Sequence, residues 1–315
     1  MQHVYDYGHG ISAVDVLYER ERLNAAHLIV ERDRAAIVDT GTAHGVPRVL
    51  DALAAKGVAP GQVDYVVLTH VHLDHAGGAG LLMARCPNAT LTVHPRGARH
   101  MIDPGRLLAA TVQIYGQRKT RRVYGEVVPV PSERVLETPE GATVSLGGRE
   151  LAFLDAPGHA RHHVVVRDGR TGHIFSGDTF GLSYRELDRD GRQFSFPTTS
   201  PSQFDPPALH RSIDRMMALG PEAIYVTHFG QVREPGRLAA DLHRLIDVHV
   251  ELAERYRDAG AERNALLRKG IEGIVLAESR RQGWTLSEQQ LLRIFAIDVD
   301  LNAQGLEAWL DSTAT

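Results

Sequence analysis

The run Thr69-His70-Val71-His72-Leu73-Asp74-His75-Ala76-Gly77-Gly78 places three imidazoles and a carboxylate within six residues, directly after VDYVVL at 63–68. A short apolar run of that kind reads as a buried strand. Extended backbone leaving the strand sends His70 and His72 to the same side, because side chains two apart share a face. Both can reach one metal ion. Asp74 and His75 fall where Gly77-Gly78 turns the chain into a helix, so they point elsewhere and suit a second ion a few ångströms away. Helix capping by Asp74 explains one of the four residues and leaves the three histidines unexplained.

Three later stretches offer ligand types in similar strand-end positions: Ala156-Pro157-Gly158-His159, Phe175-Ser176-Gly177-Asp178-Thr179 and Tyr225-Val226-Thr227-His228. Each follows an apolar β-like run or a turn from one. Around them, strands are expected near 12–18, 24–31, 34–39 and 63–68, with a helix over 44–56. Helices are expected over 76–85 and 95–118, the latter broken at Pro104-Gly105, and short β runs over 142–155, 163–167 and 172–176. Asp205 as N-cap and Pro206 as first helical residue open a helix that Gly220-Pro221 stops, and a strand follows at 223–226. From Pro235 the texture changes to amphipathic helix, with Leu238, Leu242, Leu245, Ile246, Leu252 and Tyr256 on one stripe. Thr285 to Glu288 reads as a capping box opening another helix. The expected division is 1–234 for the site-bearing α/β domain and 235–315 for a helical extension.

The 315 residues are long enough for a sizeable core, and 43% hydrophobic with 23% charged residues is ordinary for a globular enzyme. A net charge of -4 gives no general attraction to phosphate backbones, so nucleic acid is not an expected partner. The densest basic run, Arg118, Lys119, Arg121 and Arg122, reads as a solvated face. Cys86 is the only cysteine, which removes disulfides and thiolate clusters and points to a reducing compartment, the cytoplasm. It reads as a buried helix residue and not a nucleophile. No stretch approaches 18 uninterrupted apolar residues, and MQHVYDYGHG lacks a signal peptide's pattern, so a soluble protein away from membranes is expected.

Taken in order, Asp39-Thr40-Gly41, the His70–His75 signature, the Pro-Gly-His at His159, the Gly-Asp-Thr at Asp178 and the late His228 resemble the metallo-β-lactamase-fold hydrolases, in the pattern of their glyoxalase II-like branch. The resemblance implies an α/β fold, the four-layer αβ/βα sandwich, with the site where two sheets meet. It implies that His70, His72 and His159 bind one divalent ion, that Asp74, His75 and His228 bind another, and that Asp178 bridges both. Five imidazoles and two carboxylates without a thiolate suit zinc first, with iron and manganese compatible. Two such ions against Asp74, Asp178 and a bridging hydroxide leave a net positive site, matched to an anionic tetrahedral intermediate. A metal-bound water ionises near neutral pH, so no serine or cysteine nucleophile is needed. Asp39 would orient ligand histidines from beneath. His163, where relatives carry a second histidine, is read either as a hydrogen-bonded neighbour of the ligands or as a surface residue. His94 and His100 read as structural or solvated, and His173 as a satisfied strand residue.

The implied activity is hydrolysis of a small activated ester, a thioester or a lactone, as in a thioesterase or lactonase. Antibiotic hydrolysis is not expected, since some β-lactamases place a cysteine in the second site and this chain has Asp178. FGQVREPG after His228 also lacks the residues with which glyoxalase II grips glutathione. Substrate contacts are expected from 179–205, a long, polar, turn-rich stretch. Within it Tyr184 is weighed as a hydrogen-bond donor to the developing oxyanion, by analogy with lactonases, against a plain packing role. The alternative reaction is that of persulfide dioxygenases, which keep one iron on two histidines and an aspartate, here His70, His159 and Asp178. Phosphodiester cleavage and a non-catalytic binding role rank lower. The C-terminal helices complete the pocket or form a homodimer interface.

Overall fold

The computed structural model describes residues 3–199 and 203–313. It divides into two compact units that are discontinuous in sequence. The sheet unit comprises Met1–Asp155, His162–Gly177 and Leu219–Arg233, and the helical unit comprises Ala156–Arg161, Asp178–Ala218 and Glu234–Thr315.

The sheet unit contains two sheets. The first takes its strands in chain order: β1 (Val4–Asp6), β2 (Ile11–Asp15), β3 (Ala25–Glu31), β4 (Arg34–Val38), β5 (Val63–Val67), β6 (Thr90–Val93) and β7 (Val135–Glu137). Pairs β1 through β4 are antiparallel; β1–β2 and β3–β4 are joined by short turns and β2–β3 by the longer loop from Val16 to Asn24. From β4 onward pairing is parallel, which requires crossovers. Those are α1 (Val46–Ala55), then α2 (Leu73–Ala76) with α3 (Ala79–Arg85), then α4 (Pro95–Ile102), α5 (Gly105–Tyr115) and α6 (Gln117–Tyr124). The helical stretch expected over 95–118 is therefore three helices, broken at Asp103-Pro104 and again at Gly116, whose φ of +77° few other residues adopt.

The second sheet contains β8 (Thr143–Leu146), β9 (Arg149–Asp155), β10 (Val164–Asp168), β11 (Ile174–Gly177), β12 (Ala223–Val226) and β13 (Gly230–Arg233) in the order β13-β12-β11-β10-β9-β8. Only β11 and β12 pair in parallel. Strand β4 shows how the layers form. Ala35 and Ile37 pack with Val49, Leu53 and Leu82 of the helices, while Ala36 and Val38 pack with Phe153, Val166 and Phe175 of the other sheet. A strand covered on both faces reads as a continuous apolar run, as RAAIV does. Strands β1, β6, β7 and β13 were not anticipated from the sequence; each is only three or four residues long.

The helical unit holds α7 (Pro206–Ala218), α8 (Pro235–Arg255), α9 (Arg263–Gln282), α10 (Glu288–Ile294) and α11 (Ala296–Ser312). Asp205 accepts the Ala208 amide at 3.0 Å, the cap read from sequence. The α10 cap is different from the expected one. Ser287, not Thr285, accepts the Gln290 amide, and the Gln290 side chain returns to the Ser287 amide. No helix among the described residues is long and apolar enough to cross a membrane.

Candidate metal centre

The centre in the sheet unit is organised by Asp39, which follows β4. Asp39 is fully buried and holds a left-handed φ of +57°, unusual for a residue with a Cβ. Its carboxylate accepts the Thr69 amide at 2.9 Å, the Thr69 hydroxyl at 2.9 and 3.0 Å, the Thr227 hydroxyl at 2.8 Å and His75 Nδ1 at 2.8 Å. One anion thus ties together the ends of β4, β5 and β12. Thr69 and Thr227 were not singled out from sequence, yet each immediately precedes a candidate ligand. The repeated Thr-His pair at two strand ends was the available signal.

These bonds decide which ring nitrogen each histidine presents. His75 gives its Nδ1–H to Asp39, and His228 gives its Nδ1–H to the Leu23 carbonyl at 2.8 Å, so both turn an Nε2 lone pair forward. Both Nε2 atoms face the same oxygen, Asp74 Oδ2, at 3.5 Å from His75 and 3.4 Å from His228. Lone pairs aimed at a carboxylate oxygen repel it unless a cation lies among them. Ligands on a tetrahedral ion with bonds of 2.0–2.1 Å are separated by about 3.4 Å. The donor set and its spacing therefore fit a divalent ion.

His70 stands one residue beyond Thr69, whose single hydroxyl proton goes to Asp39. The Thr69 oxygen is left to accept His70 Nδ1–H at 3.2 Å, and His70 Nε2 then lies 2.9 Å from His72 Nδ1. The ring centroids of His70 and His75 are 4.1 Å apart and those of His75 and His228 are 5.3 Å apart. The sheet unit thus gathers His70, His72, Asp74, His75 and His228 into one cluster. His163 is buried, with its ring 4.8 Å from that of His70, which removes the surface alternative. Gly177 lets the chain pass close by. A Cβ there would lie 2.6 Å from both Thr69 Oγ1 and His163 Nε2.

In the helical unit His159 and Asp178 form a pair of the same kind. His159 Nδ1 is bonded to the Thr198 hydroxyl at 3.0 Å, and its Nε2 faces Asp178 Oδ2 at 3.5 Å. Tyr184 is buried, and its hydroxyl donates to the Asp298 carboxylate at 2.9 and 3.0 Å. Of the stretch 179–205, residues 200–202 lie outside the described residues.

The loop from Val16 to Asn24 borders the sheet-unit cluster and supplies none of the candidate ligands. Leu23 holds His228, and the Asn24 amide donates to the Asp74 carbonyl at 2.9 Å. On it, the Tyr18 hydroxyl is 3.4 Å from that of Tyr124 on α6. Burial first, and then the negative charge of Asp74, push both phenols upward, so they stay neutral. Burial also pushes the Cys86 thiol up to about 11, consistent with an inert core residue. His94 caps α4 through its Nδ1, as a structural histidine would.

Residues 20–228 match the family model of the metallo-beta-lactamase superfamily, and the chain belongs to that superfamily. Its fold is the four-layer αβ/βα sandwich with a C-terminal helical extension. Among curated relatives, it is 27% identical to a metallo-beta-lactamase fold-containing protein of Sulfurisphaera tokodaii over 67% of this chain and 76% of that one. It is 32% identical to a hydroxyacylglutathione hydrolase of Synechococcus sp. over 47% of this chain and 45% of the relative. The chain spans only about half the length of several of the hydroxyacylglutathione hydrolases it matches. A solved archaeal superfamily protein from Sulfolobus tokodaii superimposes with a TM-score of 0.62 at 19% identity, covering 95% of this chain and 99% of the other. A Thermus thermophilus family member gives 0.61 at 21%, covering 92% and 88%.

Proposed function

We propose that this member of a superfamily of metal-dependent hydrolases is a binuclear enzyme that cleaves a small activated ester, either a thioester or a lactone. In this reading His70, His72 and His159 hold one ion, Asp74, His75 and His228 hold the other, and Asp178 serves both. Zinc is the first choice, with iron or manganese compatible with the same donors. The observation that carries the reading is the convergence of His75 Nε2 and His228 Nε2 on Asp74 Oδ2, each ring fixed from behind by a chain acceptor.

When bound, the ions supply Lewis acidity and bring the ionisation of a water close to neutral pH. The chain does the rest. Asp39 and the Leu23 carbonyl hold two imidazoles in one tautomer, so their forward nitrogens stay unprotonated donors. Asp74 and Asp178 set the charge of the site low enough that a developing oxyanion finds a net positive field once two dications are present. Tyr18 and Tyr124 add neutral phenols, which can donate a hydrogen bond without adding charge.

The partner is a small-molecule substrate, and the setting is the cytoplasm. The relatives named as hydroxyacylglutathione hydrolases support an acyl-thioester substrate class, while a second copy of the chain is the proposed protein partner. Metal analysis of the purified protein, run beside a panel of thioesters, lactones and phosphodiesters, tests the reading. Two metals per chain with turnover of a thioester or lactone, abolished in His70→Ala, is expected. One iron with oxygen uptake, or hydrolysis undiminished in His70→Ala, overturns it.

A further inference from the structure

A second group of histidines and carboxylates lies within the helical unit, and a short sequence echo produces it. Leu209-His210-Arg211-Ser212-Ile213-Asp214 on α7 recurs on α8 as Leu242-His243-Arg244-Leu245-Ile246-Asp247. In both copies the leucine and isoleucine are buried, which leaves histidine and aspartate, four residues apart, along one edge of each helix. The two copies cross-pair. His210 Nε2 lies 3.0 Å from Asp247 Oδ1, and His243 Nε2 lies 3.1 Å from Asp214 Oδ1, as helices running in opposite directions allow.

The remaining ring nitrogens face each other. His210 Nδ1 and His243 Nδ1 are 2.5 Å apart, in rings whose planes differ by 9° and whose centroids are 4.8 Å apart. That centroid distance means the rings meet edge to edge. Since each Nε2 gives its proton to a carboxylate, each neutral ring carries its lone pair on Nδ1, and two such lone pairs at this distance repel. A positive species between them removes the repulsion. The arrangement of carboxylate, imidazole and open nitrogen, present twice, is that of metal-ligating histidines with their supporting acids. The two aspartates supply two negative charges. Of the neighbouring cations, Arg244 is committed to Glu278 and Asp241. The imidazoles are about a quarter exposed, which leaves room for an ion to keep waters as its other ligands.

We propose that His210 and His243, supported by Asp247 and Asp214, form a binding site for a divalent transition-metal ion of the zinc, copper or nickel type that clasps α7 to α8. Imidazole donors favour these ions over magnesium or calcium. The nitrogens part to about 2.9–3.4 Å around an ion with 2.0–2.1 Å bonds, a change that small side-chain rotations supply.

The test is equilibrium dialysis of the full chain against Zn2+, with metal counted per chain. The His210→Gln/His243→Gln double variant is expected to bind one equivalent fewer than the natural protein. The same deficit is expected when both carry His75→Ala, so the result does not depend on the hydrolytic reading. Asp247→Asn, a milder change, is expected to weaken that equivalent about tenfold. Circular dichroism shows that each variant is folded, and Cu2+ electron paramagnetic resonance is expected to show coupling to two nitrogens that the double variant loses. Equal zinc counts in folded natural and double-variant proteins overturn the proposal and leave a pair that shares only a proton.

Discussion

Two contrasting kinds of buried imidazole occur among the described residues, and their surroundings differ. His75 and His228, at strand ends, each spend one nitrogen on a chain acceptor and turn the other toward Asp74. His27, in the middle of β3, lies with its ring 5.6 Å from both Phe175 and Tyr225. His249, inside α8, gives Nδ1–H to the Leu245 carbonyl at 2.7 Å and packs on Phe196. Burial holds each of these two down to about 4, with the Asp39 charge opposing it weakly at His27. Depth alone therefore does not make a histidine a ligand. In the proposed reading, a carboxylate in front and a fixed acceptor behind mark the candidate ligands.

The sharpest way to break this comparison is to remove one imidazole of each kind. His75→Ala deletes a forward donor and leaves the Asp39 carboxylate short of a partner. Its ester turnover is expected to fall on the order of 10³-fold, with loss of bound metal measured on the same sample. His27→Phe replaces a ring among rings, and its turnover is expected to stay within about twofold of natural, since no polar contact to the centre is lost. Equal losses in the two variants would erase the distinction.

Acid sharpens the comparison next. His27 and His249 have folded values near 4 against an ordinary 6.5, so the unfolded chain binds more protons between those limits. Their contribution to stability is full above pH 6.5 and is lost as pH falls toward 4. At pH 5 each is expected to have forfeited on the order of 2 kcal/mol relative to pH 8. Denaturant melts of natural protein and His27→Phe at both pH values check this, and the variant is expected to lose less between them.

Asp39→Asn tests the acceptor behind the ligands. The amide keeps the shape but brings N–H groups against Thr69, Thr227 and His75, which all donate there. Metal affinity is expected to fall 10- to 100-fold, and the midpoint of a urea melt is expected to drop.

How much of this was legible in the sequence follows from the range of each interaction. The His70–His75 run and its strand were readable because they are local, set by spacing along some ten residues. The first β/α crossover, from β4 through α1 to β5, was readable for the same reason, since RAAIV and VDYVVL are apolar runs on either side of a helical stretch, whereas the short strands β6 and β7 that end the next two crossovers were missed. Asp39 was readable as a support only through resemblance. Its bonds to Thr69 and Thr227 join residues 30 and 188 positions apart, and no periodicity encodes that. The Leu23 carbonyl was invisible, because a backbone acceptor has no residue signature. The α10 cap was misread because both Thr285 and Ser287 can cap and the helix starts two residues later than the first of them permits.

The smallest expected effect concerns Tyr184, where the two roles weighed for it predict different readouts. Its hydroxyl donates to both Asp298 oxygens, and its ring lies 5.6 Å from Phe295. A hydrogen bond to a carboxylate contributes about 1.5–3 kcal/mol, and Asp298 keeps other solvation when it is lost, so Tyr184→Phe is expected to cost about 1–2 kcal/mol in a urea melt. If packing is the whole role, kcat at saturating substrate stays within about twofold, since the ring is retained. If the hydroxyl instead leaves Asp298 for an oxyanion in the transition state, kcat falls on the order of 10²-fold while KM barely moves, the signature of an interaction made only there. Asp298→Asn separates the two further. It weakens the acceptor and not the tyrosine, so it lowers stability on the first account and leaves kcat unchanged or raised on the second.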